Sequence, residues 1–176
     1  MRKIVYYVAS SIDGFIAGAD GSINGFLMEG EHADDFVSSF SDYDTVIMGR
    51  GTYEFGFQYG LKPGEPAYSG LKHIVLSKSL DFVSNENVEL VKTNAMAYIR
   101  QLKQDPGKDI WLCGGGNIAG QLANEGLIDE VLIKVNPIVI GKGIRLFEGR
   151  GKLINLMFTG TKCYGNGVVL LRYNIP

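Results

Sequence analysis

Three short stretches of this sequence place phosphate-suited groups directly behind apolar runs. In Ile110 to Ile118, IWLCGGGNI, a run with the character of a buried strand stops at Gly114, Gly115 and Gly116. Glycine lacks a Cβ, so these positions can take positive φ and let another group approach the backbone closely. The next segment, NIAGQLANEG, has helical character, and Asn117 at its start is a residue type that caps helix N-termini. A helix start offers unpaired N–H groups and the positive end of a dipole, both suited to a phosphate. A second run, TVIM, leads into Gly49-Arg50-Gly51-Thr52, and a third, HIVL, into Ser77-Lys78-Ser79. The planar fork of Arg50 can bond two phosphate oxygens at once. Taken singly, each stretch also reads as a polar turn, or Arg50 as a surface cation. Three such stretches at strand ends, where open α/β sheets bind their ligands, point together to one extended phosphorylated ligand. The triplet is not G-x-G-x-x-G with an acid downstream, so it is no Rossmann fingerprint. No G-x-x-x-x-G-K-[ST] or G-x-S-x-G occurs either.

The elements that must position these ends alternate along the chain. Lys3 to Ala9, KIVYYVA, is apolar and β-branched or aromatic nearly throughout, which fits a strand buried on both faces. Ser10 to Gly25 is rich in Gly, Ser, Asp and Asn and reads as a long functional loop with short extended pieces. Glu31 to Phe40 places Ala33, Phe36, Val37 and Phe40 on one helical face. Further strands are expected at Tyr43 to Met48, Lys72 to Leu76, Val88 to Val91, Asp109 to Cys113 and Glu130 to Val135. A short helical segment should follow Gly49, and a helix capped by Asn94 should run to about Gln104. Gly141 to Gly151 reads as a second glycine-rich loop. Two last strands, Leu153 to Tyr164 and Val168 to Asn174, flank Gly165-Asn166-Gly167, a hairpin signal. The pattern predicts a single α/β domain over residues 1 to 176. Its sheet, of about eight strands, should be mostly parallel, flanked by helices and closed by an antiparallel C-terminal hairpin.

Composition narrows the function classes. The net charge of −2 and the absence of a Lys/Arg run leave no footprint of a nucleic-acid binder. No apolar run reaches bilayer length, and Met1-Arg-Lys leads straight into a strand, so a cytoplasmic protein without signal peptide is expected. Two cysteines and two histidines make neither a disulfide framework nor a metal centre.

The order and spacing of VYYVASSIDGFIAG, DTVIMGRGTYE, HIVLSKSL, WLCGGGNI and the closing hairpin resemble the dihydrofolate reductase-like superfamily. Within it, the sequence is most similar to the bacterial RibD C-terminal family, the reductase domain of riboflavin biosynthesis, over essentially the whole chain. The resemblance implies that Gly49, Arg50, Thr52, Ser77, Lys78, Gly114, Gly115, Gly116, Asn117 and Ile118 hold NADPH. The loop from Ala9 to Gly18, with Ile16, would lie beside the nicotinamide. The charges of Arg50 and Lys78 favour the 2′-phosphate of NADPH over NADH. A homodimer and a small heterocyclic substrate, pterin-like or pyrimidine-derived, are implied in the same way. The substrate side departs from the pattern. The acid that grips a pterin corresponds to Ala33, beside Asp34, and the folate-tail arginine to Leu71. The basic residue often present in the riboflavin branch is Phe15, and the zinc deaminase signature H-x-E with P-C-x-x-C is absent.

For hydride transfer the protein must stack two rings and settle one proton. Phe15, Ile16 and Phe36 are candidate apolar walls, while Phe36, Met48 and Trp111 also read as plain core. Asp13 and Asp34 are the candidate catalytic acids. Asp13, before Gly14, reads equally as a turn residue, and Asp34 as a first-turn helix acid. A non-catalytic NADP-binding or regulatory protein, and a weak dihydrofolate reductase, are the alternatives to an NADPH-dependent reductase.

Overall fold

The computed structural model describes residues 1–149 and 151–176; residue 150, in the second glycine-rich loop, lies outside the described residues. Ten strands and four α-helices follow one another as β1 (Ile4–Ser10), β2 (Phe15–Gly18), α1 (Glu31–Ser38), β3 (Tyr43–Gly49), α2 (Arg50–Phe55), β4 (Lys72–Leu76), β5 (Val88–Val91), α3 (Ala95–Leu102), β6 (Asp109–Gly114), α4 (Gly116–Asn124), β7 (Glu130–Val135), β8 (Gly143–Arg145), β9 (Met157–Cys163) and β10 (Val169–Asn174) among the described residues. Eight strands form one sheet in the order β5-β4-β3-β6-β1-β7-β10-β9, and β2 pairs with β8 in a separate two-stranded sheet. The pairs from β5 to β7 are parallel, and β10 runs antiparallel to both β7 and β9. The eight-stranded, mostly parallel architecture is the expected one.

Successive side chains of a strand point to opposite faces, so each central strand serves two cores. Ile4, Tyr6, Ile47, Ile74, Leu112 and Val131 pack against Ile99, Leu102, Ala119 and Leu122 of α3 and α4. Val5, Tyr7, Val46, Met48, Val75 and Trp111 pack against Phe36 and Phe40 and against Tyr53 of α2. Burial on both faces is why these strands are continuous apolar runs. The parallel strands β1, β3, β4, β5, β6 and β7 end at Ser10, Gly49, Leu76, Val91, Gly114 and Val135, which brings the chemistry-bearing turns to one edge.

Several expectations need correction. α1 stops at Ser38, and a 3-10 turn carries Phe40. Val37, expected on the apolar face, is 61% exposed, while His32 is buried. The ring of His32 bonds the Leu27 carbonyl and the Asn166 side chain, each at 2.9 Å, so the covered face is partly polar. β9 starts only at Met157, after an exposed Leu153. Asn94 adopts a left-handed conformation and makes no side-chain cap bond to α3. Asn117 caps nothing: α4 begins at Gly116 with Gly115 as N-cap, and the Asn117 Oδ1 accepts from Gln121 Nε2 at 2.7 Å. No described helix is long and apolar enough to cross a membrane.

Candidate active site

A cavity of about 690 Å³ opens at the carboxyl edge of the sheet. Its walls include Gly49, Arg50 and Thr52 behind β3, Ser77 and Lys78 behind β4, and Gly114 to Ile118 behind β6, with Ile16 from β2. The three strand ends singled out in the sequence therefore share one space of ligand-binding size. Of the residues expected at the cofactor, Ala9 and Gly18 are not on its wall. Ala9 pairs with Lys134 inside the sheet, and Gly18 makes a tight turn whose N–H donates to the Ser22 carbonyl at 2.8 Å.

Backbone without side chains shapes the floor. Gly114 has φ +137°, a region L residues avoid. A Cβ on Gly115 would stand 3.4 Å from Thr52 Oγ1, and one on Gly49 would stand 2.9 Å from Ile118 Cγ1. Gly116 serves packing as well. Its added Cβ would fall 2.0 Å from the Arg145 carbonyl oxygen, and its own carbonyl accepts the Glu148 N–H at 2.9 Å. One turn on, a Cβ on Gly120 would fall 1.8 Å from the Glu148 carbonyl oxygen. The Arg145–Glu148 backbone thus lies directly on α4, which brings Ile144 and Glu148 to the cavity.

The polar groups are arranged to receive an anion. Ser77 Oγ accepts the N–H groups of Ser79 (3.2 Å) and Leu80 (3.0 Å), which leaves its O–H free to donate outward. Gly115 gives α4 no side-chain cap, so the first-turn N–H groups at Gly116 to Ile118 face the cavity end of the helix. Arg50 meets Glu54 at 3.7 Å, a loose and largely exposed i,i+4 pair that contributes little and can yield to a ligand. Asp20, Glu54 and Glu148 also line the walls, so the site is not a broadly positive funnel. The groups on its wall suited to an anion are Arg50, Lys78 and the directed N–H and O–H groups.

The two candidate acids lie elsewhere. The Asp13 carboxylate accepts the N–H groups of Ile140 (3.1 Å) and Gly141 (2.7 Å). A hydrogen bond from Ser11 and these two backbone donors hold its pKa below the ordinary carboxylate value. It is an exposed brace between two loops, in the ionised form. Asp34 is exposed on α1; its neighbour Asp35 instead accepts from Lys162 Nζ at 2.7 Å and Tyr164 O–H at 2.8 Å. Of the expected apolar walls, Ile16 lines the cavity. Phe15 lies in β2 under Arg145, and Phe36 packs on Tyr7 and Trp111.

Residues that sequence reasoning did not reach include Cys113, Phe55, Gln58 and Glu148, all on the wall. Cys113 sits in the expected strand; its surroundings push the thiol up to about 12, so it is a neutral lining group and no nucleophile. Its Sγ lies 3.8 Å from the Tyr68 O–H.

The RibD C-terminal domain model matches residues 2–170. The chain belongs to the RibD C-terminal domain family. This RibD C-terminal domain is 38% identical over 170 residues to the uncharacterized Bacillus subtilis protein YwjB, covering 96% of each chain. It is 30% identical over 151 residues to the riboflavin biosynthesis protein RibD of Corynebacterium ammoniagenes, covering 77% of this chain and 43% of that one. Among solved structures, a protein from Shewanella sp. PV-4 provisionally named for riboflavin biosynthesis matches with a TM-score of 0.82 at 25% identity, over 100% of this chain and 99% of the other. A Thermotoga maritima deaminase/5-amino-6-(5-phosphoribosylamino)uracil reductase shares the fold at a TM-score of 0.73 and 14% identity, over 99% of this chain and 57% of that one. The RibD C-terminal domain is thus related to riboflavin-biosynthesis reductases and adopts their dihydrofolate reductase-like fold.

Proposed function

We propose that this RibD C-terminal domain is an NADPH-dependent oxidoreductase that reduces a pterin-like or pyrimidine-derived heterocycle, as 5-amino-6-(5-phosphoribosylamino)uracil reductases do. The observation that carries the reading is the shared cavity: the glycine floor, Arg50, Thr52, Ser77 and Lys78 meet in one volume of about 690 Å³. The residues fit the cofactor. The side-chain-free backbone at Gly114 and Gly115 leaves room for close approach, and uncapped N–H groups with Arg50, Ser77 and Lys78 suit phosphates. NADPH, when bound, supplies the two electrons and the hydrogen that the acceptor takes on carbon. The chain's own contribution is to hold phosphates with Arg50, Lys78 and Ser77, to keep Ile16, Val8 and Cys113 as a largely apolar wall, and to exclude water from between two rings.

The substrate is not folate by this reading. Leu71, at the position of the folate-tail arginine, is 5% exposed and belongs to the core. A non-catalytic NADP-binding protein is the second reading, favoured by the exposed placement of Asp13 and Asp34 away from the cavity.

Titration with NADPH, followed by nicotinamide fluorescence, tests the cofactor site. Saturable enhancement supports it, and an unchanged signal rejects both readings. Oxidation of bound NADPH on adding pterins, pyrimidines or their ribosyl phosphates then separates the enzyme from the binding protein.

A further inference from the structure

One charge on the cavity wall is of the wrong sign for a phosphorylated ligand. Helix α2 and the 3-10 turn behind it, Gly56–Tyr59, bring Arg50, Glu54 and Gln58 to the wall. Residues four apart lie on one helical face, so a guanidinium, a carboxylate and a carboxamide stand in a row. Ser77, Lys78 and Ser79 line the same cavity from the end of β4, the strand paired with β3, out of which α2 springs.

The middle member of the row has no structural duty that explains it. Arg50 Nη1 and Glu54 Oε2 stand 3.7 Å apart, with both side chains partly exposed, and such a pair contributes little to folding. Among the described residues this is the only ion pair or hydrogen bond that the Glu54 side chain makes. Asp20, another acid on the wall, differs: its carboxylate accepts the Ser22 N–H at 2.9 Å and shapes its own loop. A phosphate oxygen bonded to Arg50 Nη1 at about 2.8 Å comes within about 6.5 Å of Glu54 Oε2, given their separation of 3.7 Å. That is inside the Debye length of about 8 Å at physiological salt. A dianion must therefore share the guanidinium with Glu54 and sit beside a like charge. A hydroxyl in the same place meets no repulsion and finds an acceptor.

We propose that Glu54 is a specificity-determining residue of the cofactor site: it competes with the 2′-phosphate of NADPH for Arg50 and so narrows the preference for NADPH over NADH. The inference rests on the cofactor reading above and concerns binding alone. Lys78, with no acid partner among the described residues, supplies the attraction that Glu54 does not cancel.

Glu54→Gln removes the charge at nearly constant shape and helix propensity, and Gln58 shows that this wall accommodates a carboxamide. An unchanged thermal midpoint checks that the fold is kept. Fluorescence titration with NADPH and NADH reads whole cofactors. Calorimetry with adenosine 2′,5′-bisphosphate and 5′-AMP reads the adenosine end without any turnover. Glu54→Gln should bind NADPH and the bisphosphate about fivefold more tightly, the size of a Coulomb effect on a dianion at this distance in a watery site. NADH and 5′-AMP should gain less than about twofold, and Glu54→Asp, which keeps the charge, should stay within about twofold of wild type for every ligand. An equal gain for all four ligands would overturn the proposal, as would no gain for the two that carry a 2′-phosphate. A gain in Glu54→Asp matching that in Glu54→Gln would trace the effect to the helix and overturn it too. A wild type that binds neither NADPH nor NADH would instead strike the cofactor reading itself.

Discussion

Arg50 stands at the cavity mouth with no firm commitment to another residue, since its pair with Glu54 is long and wet. A phosphate would gain charge-assisted bonds from it that no neutral side chain provides. Arg50→Ala should weaken NADPH tenfold or more, by the usual size of such bonds, and NADH less than about threefold; fluorescence titration with both cofactors decides, and equal losses would place Arg50 away from the 2′-phosphate. Lys134 makes a prediction of the opposite kind, about stability. Unfolded, it keeps its proton up to about 10.5; folded, it loses it near 8. Between those values the unfolded chain binds more protons, so the Lys134 contribution to stability rises with pH there, by an amount of the order of 3 kcal/mol. Cys113 and the buried tyrosines, with raised pKa values, act in the opposite sense. The difference between wild type and Lys134→Met isolates the lysine. In denaturant melts the variant should be the more stable of the two at pH 7, with the gap narrowing to about half or less by pH 9.5 and closing only above the unfolded value of 10.5. In the sequence, Lys134 was invisible as a buried lysine, because EVLIKV reads as an ordinary strand with one polar outward position. Only the placement of Phe36 over it reveals otherwise. Asp13 shows the reverse: an Asp before Gly invites a chemical role, and the structure gives it two backbone N–H groups of a distant loop instead.

At the level of elements, the parallel strands were legible because burial on both faces writes them as unbroken apolar runs ended by Gly, Ser or Pro. The strand β8 was not, since three residues, GIR, carry no pattern and exist as a strand only because β2 lies beside them. Its Gly143 comes so close that a Cβ would fall 2.0 Å from the Ala17 carbonyl oxygen. Asn117 misled for a related reason. Helix capping is a local preference, but here Gly115 and Gly116 start the helix one residue earlier because the Arg145–Glu148 backbone must reach its surface. Gly120 is the cleaner test of that contact, as it is interior to α4 and behind the cavity wall. An alanine there would meet backbone, which cannot swing away. Gly120→Ala should therefore destabilise despite alanine's better helix propensity, by about 2 kcal/mol or more, seen as a lowered midpoint in thermal melts. An unchanged midpoint would show that the 145–148 segment moves freely.

For the molecule as a whole, the site is built from strands β1, β3, β4 and β6 and from two loops far apart in sequence, so single-element reasoning recovered its floor and its cations but not its far wall. The opposite margin of the sheet has its own consequence. β9 is an edge strand with Met157 and Phe158 more than half exposed, in an apolar stretch that includes Leu153 and Leu156. Long apolar edges invite pairing. A homodimer joined along this edge is the expected state, and sedimentation at micromolar concentration should show it, with Phe158→Lys shifting the protein towards monomer. A wild-type monomer at those concentrations would set the expectation aside.

The bond from the Glu148 amide to the Gly116 carbonyl ties the far wall to the very turn that would meet the pyrophosphate. A dinucleotide clamped at the beginning of α4 should consequently quieten a stretch it barely touches. Deuterium uptake at Glu148 would slow on saturation with NADPH, while the β9 margin would exchange at an unaltered pace.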